Sequence, residues 1–181
     1  MKRQPILALL GNYLSNYAQE TDTVTRFRNF VINHPDCFER SLSVGHVTGS
    51  AWVVNQAGTH VLLTHHKKLN QWFQLGGHAD GEPDILKAAL KEVAEESGLA
   101  AFEPVSAEIF DIDIHAIPAR GDEPEHYHYD VRFAVRAVGS DEYTVSEESH
   151  DLSWVEIGCL ADFTCEESML RMAGKWQELS E

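Results

Sequence analysis

Residues 76–99, GGHADGEPDILKAALKEVAEESGL, constrain what this chain can fold into more than any other stretch. Pro83 to Ser97 has the pattern of a helix, with Leu86, Ala89, Leu90 and Val93 recurring every three or four residues on one face. Proline suits the first helical position, where an N–H is dispensable, and Gly98 suits the residue just past the end. Glu92, Glu95 and Glu96 share that spacing but fall on a largely different face. Three carboxylates in little more than one turn repel one another, and the dipole disfavours them near a helix C-terminus. A solvated acidic helix end is one outcome of such a pattern. The other is a site for a hard divalent cation; Mg²⁺ in particular keeps waters and binds substrate phosphates.

The order of these features carries further information. Gly-Gly, a loop of carboxylates, a helix and then K-E-V-A-E-E-S-G-L resembles the Nudix box, G-x5-E-x7-R-E-U-x-E-E-x-G-U with U aliphatic. Gly77, Glu92, Val93, Glu95, Glu96, Gly98 and Leu99 stand on the pattern. Lys91 replaces the usual Arg, and Pro83 takes the place of the upstream Glu, with Glu82 one residue early. The resemblance covers roughly Val44 to Glu156. It implies an α/β (α+β) fold, a Nudix-like α/β/α sandwich with a mixed sheet, here with additional N-terminal helices. It also implies hydrolysis of a pyrophosphate bond in a nucleoside diphosphate-linked or related small molecule, with Mg²⁺ or Mn²⁺.

Carried over residue by residue, the resemblance makes Glu92, Glu95 and Glu96 the metal ligands, joined by the carbonyl of Gly76 or Gly77. One carboxylate must accept the proton of the attacking water. In this family that base is the first Glu of the cluster or a Glu from a later loop, so the choices here are Glu92, Glu147 or Glu148, and the resemblance gives Glu92, Glu95 and Glu148 as the catalytic residues. A Nudix-like domain can also lose hydrolysis and serve as a nucleotide sensor, but here the glutamates are intact. An isomerase acting on an isoprenoid diphosphate ranks below both, because no cysteine can be placed opposite an acid.

Histidines form a second group. His126 and His128 share a strand face, and a tight turn would bring His115 beside them. With Asp111, Asp113 and Asp130 these could line a substrate pocket or bind a transition ion; a polar outer face of a hairpin is the plainer reading. His78 and Asp80, in the G-G-H-A-D run, join them as substrate-binding candidates. His65, His66, Lys67 and Lys68 precede the box in a polar loop.

The net charge of −15 argues against duplex nucleic acid or an anionic membrane surface as partner, since both want a basic footprint. A nucleotide substrate stays open, because a bound metal reverses the local sign. Cys37, Cys159 and Cys165 form no C-x-x-C motif and suggest reduced thiols in a cytoplasmic protein, with Cys159 and Cys165 buried and inert. The N-terminal MKRQPILALLGNYL has neither the length of a membrane span nor a cleavage site.

Along the chain, Gln4–Gln19 and Val24–Asn33 are predicted helices, so residues 1–42 form a helical extension packed on a domain of residues 43–181. That extension would equally suit the interface of a homodimer. Val47–Val54 and Val61–Thr64 are predicted to form a hairpin around Asn55-Gln56-Ala57-Gly58, followed by a short strand at Trp72–Leu75. One long strand is expected from Val105 to Ile117, returning as His126–Val138, with a short strand at Leu152–Val155 and a final helix over about Glu166–Leu179.

Overall fold

A computed structural model describes residues 2–66, 71–121, 124–145 and 149–180. Two helices open it, α1 (Gln4–Asn16) and α2 (Thr21–Asn33), with one 3₁₀ turn between them. The strands β1 (Gly45–Val54), β2 (His60–His66), β3 (Gln71–Phe73) and β4 (Leu75–His78) lead into α3 (Ile85–Ser97). There follow β5 (Phe102–Pro104), β6 (Asp111–Ile117), β7 (His126–Ala137), β8 (Ser149–Glu156) and α4 (Glu167–Ser180).

The strands form one mixed sheet. β1 lies at its centre, parallel to β7 along its whole length and antiparallel to β2 and β4 on the other side. β5 and β6 pair successively with the far edge of β7, and β3 and β8 pair with β2. Alternation along β1 sends Val47 into a core with Phe27, Phe30 and Val31 of α2, Ile6 and Leu10 of α1, and Ile85 and Ala89 of α3. Trp52 and Val54 point the other way, onto Met169, Met172 and Trp176 of α4. The result is helices, sheet, helix: the expected α/β/α sandwich, with both N-terminal helices on the sheet. Phe30 stacks on Tyr129 of β7 with ring centroids 3.7 Å apart, a contact worth about 0.5–1.5 kcal/mol beyond its burial.

Three expectations need correction. The helix of the acidic motif begins at Ile85, because the Asp84 carboxylate accepts from the Lys87 N–H at 3.2 Å and caps it there. Pro83 therefore lies outside the helix, whereas Gly98 ends it at φ 62° as expected. The single strand from Val105 to Ile117 is two, β5 and β6, separated by residues 105–110. The segment before β3 is no loop at its start, since His65 and His66 continue β2; Lys67 and Lys68 lie outside the described residues.

The polar face of the β6–β7 hairpin is not an outer face. Asp111, Asp130 and Arg132 are all buried: α4 packs on Arg132 through Met172 and brings Arg171 and Lys175 to Asp111, while Thr48, Ser50 and Gln74 donate to Asp130. Arg132 reaches Asp130 at 2.8 Å and Asp111 at 3.1 Å. Arg171 and Lys175 approach Asp111 at 2.8 and 2.6 Å, and Lys175 continues to Glu20 at 2.7 Å. Burial alone would raise the Asp130 carboxyl, but Arg132 holds it below its ordinary value. The same pairing outweighs burial at Arg132 and raises the guanidinium's pKa.

Candidate active site

The short strand β4 and the helix α3 bring the box together. β4 pairs with β1 through Gly77↔Gly49 and Gly76↔Ser50; Gly76 has no room for a side chain, and Gly77 leaves space for the Glu92 carboxylate. A Cβ on Gly76 would lie 2.3 Å from Ser50 Oγ, and one on Gly77 would lie 2.5 Å from Glu92 Oε2. The Glu92 side chain, 16% exposed, thus rests directly on the backbone of Gly77. One turn on, Glu96 Oε2 accepts from the Gly76 N–H at 3.4 Å. Glu95 stands further out, 58% exposed, and pairs with Lys91 at 3.0 Å. Lys91 also reaches Glu92 at 3.4 Å, so one ammonium partly offsets three carboxylates.

This donor set fits a hard divalent cation. Glu92, Glu96 and the Gly76–Gly77 backbone supply oxygen atoms around a cradle that any Cβ would fill, and Lys91 leaves the cluster with a net negative charge. The displaced Glu82 has a different role: it pairs with Lys87 and accepts from the Asp84 N–H, which braces the loop from outside. Glu148 lies outside the described residues.

The histidine candidates gather elsewhere. In the register of the sheet His115 sits opposite His128, and His128 opposite His46, a residue that reasoning from the sequence missed. His78 pairs with Thr48, two residues along β1 from His46. The ring of His46 lies 4.9 Å from that of His78, 5.1 Å from His126 and 4.8 Å from His128, centroid to centroid. Burial first, and then His78 and His126, lower the pKa of His46 to about 4. Burial, then His46 and His115, lower that of His128 to about 3. Asp80 is exposed in the following turn at φ 47°, a conformation that Asp tolerates better than most side chains.

Cys37 is buried, but Cys159 and Cys165 are exposed, contrary to expectation, because the turns between β8 and α4 run over the surface. Among the described residues no helix is long and apolar enough to cross a membrane.

Comparison with known proteins bears on the same region. The NUDIX domain family model matches residues 45–171. No match to the sequence is found among curated proteins. Among solved structures, a C. elegans Ap4A hydrolase binary complex aligns at TM-score 0.60 and 16% identity, over 74% of this chain and 96% of that one. The E. coli dihydroneopterin triphosphate pyrophosphohydrolase aligns at TM-score 0.58 and 14% identity, over 71% and 92%. The M. smegmatis hydrolase RenU aligns at TM-score 0.55 and 18% identity, over 75% and 86%. These likenesses are of fold.

Proposed function

The chain belongs to the NUDIX domain family of pyrophosphohydrolases, and from that premise we propose that it is a divalent-metal-dependent hydrolase of a small nucleotide-type pyrophosphate. The observation that supports this reading is the convergence of Glu92 and Glu96 on the Gly76–Gly77 backbone. In the proposed site Glu92, Glu95, Glu96 and the Gly76 carbonyl hold Mg²⁺ or Mn²⁺. When bound, the ions polarise the phosphoryl oxygens and acidify the attacking water.

Water adds to one phosphorus, the bridging P–O bond breaks, and the leaving phosphate takes the electron pair. A carboxylate within about 3 Å of the water takes its proton; Glu92 and Glu148 are the candidates. The Gly76 N–H holds Glu96 in place, and Gly77 leaves room for Glu92. His78, Asp80, His115, His126 and His128 are proposed to meet a part of the substrate away from the reacting pyrophosphate, because His78 turns to the side of β4 opposite Glu92. The names of the fold relatives, an Ap4A hydrolase and a dihydroneopterin triphosphate pyrophosphohydrolase, support a phosphoanhydride as the substrate class. Free thiols support a cytoplasmic setting.

The test is product release from a panel of nucleotide pyrophosphates with Mg²⁺, with Mn²⁺ and with chelator, on wild type beside Glu96→Gln. Metal-dependent turnover lost in a folded Glu96→Gln protein is the expected result. Turnover retained in that variant, or unaffected by chelator, overturns the mechanism.

A further inference from the structure

The sheet offers a second donor set on the face opposite the box carboxylates. Alternation along β4 turns Gly77 toward Glu92 of α3 and His78 to the other side. There His78 meets His46 and His128, direct partners across the parallel β1–β7 pair. Three adjacent strands thus each contribute one imidazole to the same spot.

From this geometry we infer that His46, His78 and His128 form a binding site for a borderline divalent transition ion, with Zn²⁺ as its type. Each residue offers one ring nitrogen, and the three nitrogens lie within 4.8 Å of one another. His46 is 3% exposed, yet neither of its ring nitrogens has a hydrogen-bond partner. Nε2 of His128 is buried and unpartnered in the same way. A buried polar atom without a partner carries the full cost of its desolvation, so several facing one another call for a shared ligand. A cation accepts one lone pair from each of the three rings at once, His46 keeping its other nitrogen as an N–H.

The donor chemistry selects the ion. Imidazole suits Zn²⁺, Cu²⁺, Ni²⁺ and Fe²⁺, whereas Mg²⁺ takes oxygen ligands and dehydrates reluctantly. The carboxylate cradle and the histidine cluster therefore sort different metals onto the two faces of β4. Zinc–nitrogen bonds of about 2.0–2.1 Å in tetrahedral geometry draw ligand nitrogens to about 3.4 Å apart, a short closing movement from the spacing seen. The surrounding rings are already oriented: His126 Nδ1 lies 2.9 Å from the Pro124 carbonyl, and His115 Nδ1 lies 3.2 Å from Asp113 Oδ2. These contacts hold two rings that flank the cluster, and neither belongs to the three proposed ligands. With three protein ligands, a fourth position stays open to water or to a substrate group.

The full-length protein, stripped with chelator, is dialysed against Zn²⁺ alone and against Zn²⁺ in excess Mg²⁺. The imidazole nitrogen resonances are followed by NMR during the titration. The expected result is one equivalent of Zn²⁺ retained despite Mg²⁺, with the resonances of His46, His78 and His128 moving together. Retention persists in Glu96→Gln and weakens in His78→Gln by more than the ~10- to 100-fold typical of outer contacts. Zinc retention lost in Glu96→Gln but kept in His78→Gln overturns the inference. So does a wild-type titration in which those three imidazoles do not move, a readout that depends on no variant folding. Because metal retention is read rather than turnover, the outcome is independent of whether the hydrolase reading holds.

Discussion

The carboxylate of Glu92 occupies the space that a side chain on Gly77 would need. A Cβ at that position would lie 2.5 Å from Oε2 and 2.6 Å from the carboxyl carbon. Gly77→Ala is therefore expected to displace the carboxylate while leaving the sheet paired. Apparent Mg²⁺ affinity should fall roughly 10- to 100-fold, as when a ligand's support is disturbed. Metal titration of turnover, beside a circular-dichroism spectrum, checks both halves.

Arg132 is a buried cation shared by Asp111 and Asp130. Arg132→Met is expected to leave Asp130 without its cation, while Asp111 keeps Arg171 and Lys175, and to cost about 3–5 kcal/mol, the range for breaking a buried pair from one side. Urea unfolding measures it. A loss below about 1 kcal/mol would mean that the hydrogen bonds from Thr48 and Ser50 suffice to hold Asp130.

The location of this network shows where reading the sequence stops. Alternation along β6 and β7 was legible, and so was the acidic motif of α3, because both are local patterns. The burial of the polar face was not, since it depends on Arg171 and Lys175, some sixty residues further on. His46 went unnoticed for the same reason. It stands alone before Val47 and acquires meaning only through parallel pairing with His128. The break between β5 and β6 hid within a run that alternated well enough to pass as one strand.

Acid should destabilise the protein before it protonates the buried carboxylates. His46 and His128 are held near 4 and 3 against an ordinary 6.5. As pH falls below 6.5 the unfolded chain binds protons that the folded chain refuses, so stability declines by about 1.4 kcal/mol per pH unit for each ring. The decline ends near the folded values, and above 6.5 neither ring contributes. His78, His126, His115 and Arg40 oppose the charge, and Asp80 and Asp130 favour it. Asp113, lowered to about 2 by His115 and Arg132 against its burial, adds a separate loss as pH falls from its ordinary 3.8 toward 2. Urea midpoints between pH 7.5 and 5 should slope in wild type and slope roughly half as steeply in His128→Gln, where His46 alone remains. An unchanged slope in that variant would assign the effect to other groups.

Thiol labelling separates the cysteines by exposure. Cys159 and Cys165 should react in the native protein, and Cys37 only after unfolding. Mass spectrometry of the labelled peptides gives the answer directly, and native labelling of Cys37 would contradict its burial.

The parallel pairing of β1 with β7 also sets a timetable for folding. Every register pair between them joins residues 82 positions apart, from Gly45↔Tyr127 to Val54↔Arg136. During synthesis β1 can pair with β2 and β4 early, but its other edge stays open until β7 has left the ribosome. Closing so long a loop delays the centre of the sheet, and chains dominated by such pairings fold slowly. For that interval the nascent chain carries an open strand edge at its middle, where a chaperone or a second nascent chain can engage it before β7 does.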